Sequence, residues 1–120
     1  MSRQTAKGTR FESAVAAYLA ELDPRIERRV KHGTKDRGDI GGVLLHGRRV
    51  VVECKDRRRM ELSAWLSEAE TERGNDDADH AVVVHHRAGR GTRSMGDQYV
   101  TMTLATFRDM LAGGRGLIGG

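Results

Sequence analysis

A chain of 120 residues can cover one sheet with helices but cannot build two independent cores, so a single domain is expected. Its 38% hydrophobic and 32% charged residues mark a globular rather than a disordered chain, and the 4% aromatic share makes the core mostly aliphatic. The formal charge of +4 is uneven: residues 1–60 hold 15 Lys and Arg against 8 Asp and Glu, a net +7, and residues 61–120 hold 6 against 9, a net −3. Such asymmetry suits a polyanion partner, and on charge alone it suits a solvated basic face equally well.

No apolar run approaches the roughly 20 residues that span a bilayer, and the start MSRQTAKGTR lacks the apolar stretch of a secretory signal, so no membrane partner and a cytoplasmic location are expected. Cys54 is the only cysteine, which excludes an internal disulfide and a multi-cysteine zinc site. His80, His85 and His86 have no coherent ligand spacing, so zinc is not expected.

In chain order, Phe11, Ala14, Val15, Tyr18, Leu19 and Leu22 recur at helical spacing and predict an amphipathic helix from Thr9, ended by Asp23 and Pro24. Residues 26–31 lead into the polar stretch HGTKDRG. DIGGVLLHG and RRVVVECKD then read as a strand, a loop and a β-hairpin turning at His46 to Arg48. Val50, Val51 and Val52 predict a strand buried on both faces, central in a mixed sheet. A second helix is predicted from about Ser63 to Arg73, with Leu62, Trp65, Leu66 and Ala69 apolar and Gly74 as C-cap. HAVVVHH reads as a further buried strand, RAGRGTRSMGD as a loop, and QYVTM as a last strand. Thr103 is expected to N-cap a closing helix through Ala112. The order α-β-β-β-α-β-β-α gives an α/β domain over residues 1–112, a central mixed sheet flanked by helices, followed by a Gly-rich tail, 113–120.

Chemistry concentrates at Asp39, which opens one strand, and at Glu53-Cys54-Lys55 in the next. Side chains alternate along a strand, so Glu53 and Lys55 share a face with Val51 while Cys54 joins Val50 and Val52. Strand pairing is expected to bring Asp39 beside Glu53, giving two carboxylates and an ammonium group at one strand end. Hard oxygen ligands without histidine or thiolate suit Mg²⁺, with Mn²⁺ as an alternative. Such an ion acidifies a bound water and neutralises charge on a phosphate, and Lys55 would orient the water or add positive charge. The same residues also accommodate an ordinary Glu53–Lys55 pair on an exposed strand.

Taken together, GTRFESAVAAYL, RRVKHGTKDRGDI, VVVECKDRRRMELSAWLSEAE and HAVVVHH resemble the PD-(D/E)XK nuclease superfamily. Within it they resemble the archaeal-type Holliday junction resolvases and the resolvase-like nucleases of actinobacterial phages. The likeness covers roughly residues 7–107. It implies a restriction-endonuclease-like fold, hydrolysis of DNA phosphodiesters with one or two Mg²⁺ ions, branched DNA as partner and a homodimer. By position it assigns Asp39, Glu53 and Lys55 to the catalytic signature and Glu12 to the first-helix glutamate that supports the metal. Thr34 falls where those enzymes carry a catalytic serine. Gly38 stands where the signature has its proline.

Glu12 has a second explanation, since Thr9-Arg10-Phe11-Glu12 is a capping-box pattern. Trp65 reads as core and Glu68 as a helix glutamate, able to reach the site but equally at home in solvent. Arg10, Arg28, Arg29, Lys31, Lys35, Arg37, Arg57, Arg58 and Arg59 surround the motif elements and are the expected phosphate contacts. Two alternatives remain: a restriction or repair nuclease of the same superfamily, and a non-catalytic DNA-binding module on the same fold.

Overall fold

The computed structural model describes residues 3–30 and 35–117, with side chains from residue 6 onward. Along the chain run α1 (Arg3–Ala20), β1 (Glu27–Arg28), β2 (Ile40–Gly41), β3 (Leu44–Leu45), β4 (Arg48–Lys55), α2 (Leu62–Asp76), β5 (His80–His85), β6 (Tyr99–Thr101) and α3 (Leu104–Leu111). The strands form one mixed sheet in the order β1-β2-β4-β5-β6, with β3 folded back on β4. Only β4 and β5 run parallel, in register from Val50 with His80 to Lys55 with His85; α2 connects them, as a parallel crossover requires. The chain is thus an α/β domain with an open mixed sheet flanked by helices. Among the described residues no helix is long and apolar enough to cross a membrane.

Alternation along β4 sorts its side chains between two cores. Val52 and Cys54 pack with Phe11 and Val15 of α1 and with Ile40, Val82 and Val84. Val51 packs on the opposite face with Trp65 and Ala69 of α2 and with Ala81 and Val83. Met110 of α3 lies against the α1 side. The strand is therefore covered on both faces, as its valine run predicts.

Several boundaries differ from the sequence expectation. α1 begins at Arg3 rather than Thr9, because RQTAKGTR, although it lacks apolar periodicity, is built mostly of residues that tolerate a helix. Thr9 therefore sits inside the helix, and the capping-box reading of Glu12 fails. Tyr18 is 47% and Leu22 87% exposed; Ala16 takes the inward position instead. The loop expected between the first strand and the hairpin separates β2 from β3 at Gly42, whose φ of +82° carries the chain past the Arg25 carbonyl, where any Cβ would collide. α2 continues past Gly74 to Asp76, and Asp77 takes the left-handed turn at φ 49°. There Ala78 donates its amide to the Arg73 carbonyl at 3.0 Å while its side chain is buried beneath α2. The loop after β5 contains a 3₁₀ segment, Thr92–Asp97. Thr103 caps α3 as predicted, accepting from the Thr106 amide. Part of the Gly-rich tail is tied back: Arg115 donates its amide to Asp79 Oδ2 at 3.0 Å, and Arg48 bonds the same oxygen at 3.1 Å.

Candidate active site

The C-terminal end of β4 carries the site. Glu53 follows Val51 onto the α2 face and is 3% exposed, a burial that a carboxyl group tolerates only with compensation. β2 runs antiparallel to β4 with Ile40 opposite Val52, which sets Asp39 against Glu53. Two hydrogen bonds fix this register: the Asp39 amide donates to the Val52 carbonyl at 2.9 Å, and the Cys54 amide donates to Asp39 Oδ2 at 2.8 Å. Gly38 enters the strand at φ +96°, with its α-carbon so close to β4 that a Cβ would lie 2.9 Å from Val51 Cγ1. Proline, locked near −65°, could not take this conformation.

Around these groups opens a cleft of about 350 Å³ lined by Glu12, Arg28, Asp36, Asp39, Glu53, Lys55, Arg57 and Glu68, among others. Lys55 leaves β4 on the Glu53 side, and its ammonium group meets Glu68 Oε2 at 3.0 Å. Glu12 reaches the cleft from α1 and pairs with Arg28 of β1 at 3.0 Å. A second, basic depression of about 650 Å³ adjoins the first, sharing Lys55, Asp56, Arg57 and Glu68 and adding Lys7, Arg58 and Arg59.

Burial pushes the Glu53 carboxyl far above the usual range, and the carboxyls of Asp39 and Glu72 beside it push the same way. Burial likewise raises Glu72, to about 7. Glu12 is raised by burial and then by Asp39, against the opposing pull of Arg28. At Lys55 burial alone would lower the ammonium, but Glu68 and the carboxyls of the cleft outweigh it and hold the pKa above its ordinary value. Burial also pushes the Cys54 thiol up, so Cys54 is a core residue and not a nucleophile. The cleft therefore gathers carboxyls that must share protons or a cation to coexist.

Among the described residues, one group of three carboxyls could hold a metal ion: Asp36, Glu53 and Glu72 offer oxygens that all lie within 4.8 Å of one another. Both Glu72 oxygens are buried without a hydrogen-bond partner. All-oxygen donors with unused lone pairs fit a hard divalent ion. The sequence-based ligand set was Asp39, Glu53 and Glu12; the structure groups Glu53 more tightly with Asp36 and Glu72, while Asp39 and Glu12 line the same cleft.

No protein-family model, curated protein or solved structure matches this chain.

The remaining expected residues fall into distinct places. Asp39, Glu53, Lys55 and Glu12 come together in the cleft. Thr34 and Lys31 lie outside the described residues. Arg28 faces the cleft but is engaged by Glu12. Arg29 is a brace, donating to the Arg37 carbonyl at 2.6 Å with its guanidinium 3.7 Å from Asp76. Arg10, Lys35 and Arg37 are exposed, and Arg57 to Arg59 border the basic depression. Trp65 is core, 5% exposed. Glu68 is a partner of Lys55 as well as a helix glutamate.

Sequence reading missed Asp36 and Glu72. Glu72 carried a usable signal: with Trp65 and Ala69 it continues the buried stripe at spacings of four and three, where a carboxylate has no structural reason to stand. Asp36 gave none, since it belongs to a polar, glycine-containing stretch in which any aspartate reads as a turn residue.

Proposed function

We propose that the chain is a metal-dependent endodeoxyribonuclease of the PD-(D/E)XK type, with a restriction-endonuclease-like fold and branched DNA as substrate. One observation carries this reading: Asp39, Glu53 and Lys55 face a single cleft at the end of β4, beside a depression bordered by three consecutive arginines. Mg²⁺ or Mn²⁺, bound by Asp39 and Glu53, would acidify water and offset charge at the scissile phosphate. The remaining work falls to the chain itself. Asp39 is held in place by the Cys54 amide, so one carboxylate oxygen is fixed and the other is free to ligate. Lys55, kept charged beside Glu68, contributes a cation where negative charge develops on phosphate oxygens. Glu12 supports the acidic wall from α1. Arg57, Arg58 and Arg59 hold the DNA backbone, with Arg10, Lys35 and Arg37 as further contacts. A homodimer, with two such clefts, would let two strands be cut symmetrically.

The test is cleavage of labelled four-way junction, fork, linear duplex and single-stranded DNA with Mg²⁺ or Mn²⁺, using the wild type and Asp39→Asn. The proposal expects preferential cutting of the junction, lowered by roughly two to three orders of magnitude in the variant while DNA binding persists. Equal cutting of all four substrates removes the preference for branched DNA. Binding without cutting under either ion favours a non-catalytic DNA-binding module, and undiminished cutting by the variant removes the assigned centre.

A further inference from the structure

The carboxyls of the cleft exceed what a single ion between Asp39 and Glu53 uses. Glu72 projects from α2 with the residue 1% exposed, and neither of its oxygens has a hydrogen-bond partner. It points at Glu53, itself buried, and at Asp36, and the three oxygens are mutually within 4.8 Å. Ligands on opposite sides of a divalent ion at about 2.1–2.5 Å stand roughly 4.2–5 Å apart and neighbouring ligands stand closer, so oxygens within 4.8 Å of one another can share one ion. The surroundings hold it in this form. Asn75, one helical turn beyond Glu72, donates its side-chain amide to the Asp36 carbonyl at 2.8 Å, and Asp36 Oδ1 accepts the Gly38 amide at 2.9 Å. The first bond fixes the segment carrying Asp36 against α2 and the second fixes the turn within that segment, without satisfying Glu72.

We propose that Asp36, Glu53 and Glu72 form an inner divalent-cation site, distinct from the ion held by Asp39 and Glu53 and sharing Glu53 with it. Its role is positional. An ion there ties α2 to the 36–39 segment and thereby sets Asp39, three residues after Asp36, toward the cleft. The inference rests on Glu53 as a metal ligand but not on DNA cleavage.

Mn²⁺ binding to the full chain, followed by electron paramagnetic resonance at neutral pH, tests it in wild type, Asp36→Asn, Glu72→Gln and Asp39→Asn, with circular dichroism as the check on folding. The wild type is expected to bind two Mn²⁺ ions. Glu72→Gln and Asp36→Asn each should lose one, or weaken it at least about tenfold, and lose the matching part of the Mn²⁺-induced rise in Tm; Asp39→Asn should lose the other. Should Glu72→Gln fail to fold, Asp36→Asn, at a half-exposed position, decides alone. Unchanged stoichiometry and affinity in the inner-site variants overturn the inference. A single ion lost only in Asp39→Asn also overturns it, leaving the nuclease reading intact. A single ion lost in the inner-site variants but kept in Asp39→Asn sustains the inner site and removes the outer one.

Discussion

The Cys54 amide donates to Asp39 Oδ2 at 2.8 Å, so the aspartate at the site is also part of the sheet that presents it. Asp39→Ala leaves this amide without a partner and should cost about 1–3 kcal/mol of stability. Asp39→Asn keeps an acceptor oxygen and should cost less. Both should lower cleavage by roughly two to three orders of magnitude, the loss typical of removing one group that stabilises transition-state charge. Urea unfolding beside single-turnover cleavage separates the effects; equal stability of the two variants would show that the bond contributes nothing.

Lys55 and Glu68 pair at 3.0 Å, with the Glu68 side chain 46% exposed. Glu68→Gln should therefore change stability by less than about 1 kcal/mol. Its effect should appear in the pH–rate profile. Burial favours neutral Lys55 and Glu68 opposes it, so removing Glu68 lowers the pKa and moves the basic limb of the profile to lower pH. An unmoved limb would mean that Lys55 does not act as an ammonium group.

Glu72 gives a stability signature when chelator keeps metal away. Its folded-state pKa is raised from 4.5 to about 7. A raised acid contributes stability that is fully present below its unfolded pKa and is lost as pH rises through the folded one. Between pH 4.5 and 7 the wild type should lose about 1–3 kcal/mol relative to Glu72→Gln. Thermal melts of both proteins across that range check it; parallel curves would contradict the burial of this carboxyl.

Arg57, Arg58 and Arg59 border the basic depression. If they lie against phosphates, each change to Ala should reduce the slope of log binding constant against log salt by about 1 and weaken all sequences uniformly. Fluorescence anisotropy from low to moderate salt measures the slope. An unchanged slope in the triple variant would move the DNA elsewhere.

Gly42→Ala should destabilise the domain by more than about 2 kcal/mol, combining a left-handed φ with a collision against the Arg25 carbonyl. Gly47→Ala offers the comparison: it shares a positive φ, at +80°, but has open space around it, so its cost should be the smaller. Equal losses would remove the steric contribution.

The sequence discloses what depends on period. Val50 to Val52 announce a strand covered on both sides, and alternation through Glu53 and Lys55 identifies which residues share a face; both follow from backbone geometry that operates over a few positions. Thr103 declares its cap for the same local reason. Asp77 does not declare its left-handed turn, because Gly74 is the better candidate by composition and only the burial of Ala78 moves the helix end onward. The candidate site divides likewise. Asp39 and Glu53 are legible as strand-end carboxylates, whereas the approach of Asp36 to Glu72 depends on how α2 packs over the sheet, which no short-range pattern encodes.

The two open edges of the sheet, β1 and β6, span two and three residues, Glu27–Arg28 and Tyr99–Thr101. An exposed strand is a template on which another chain can extend the ladder, and its reach grows with the number of unpaired amides it offers. Here the long, valine-rich strands that would propagate cross-β growth lie in the interior, and the rims are too short to seed it, one of them carrying opposite charges side by side. Lengthening either rim would be the direct route to an aggregating variant.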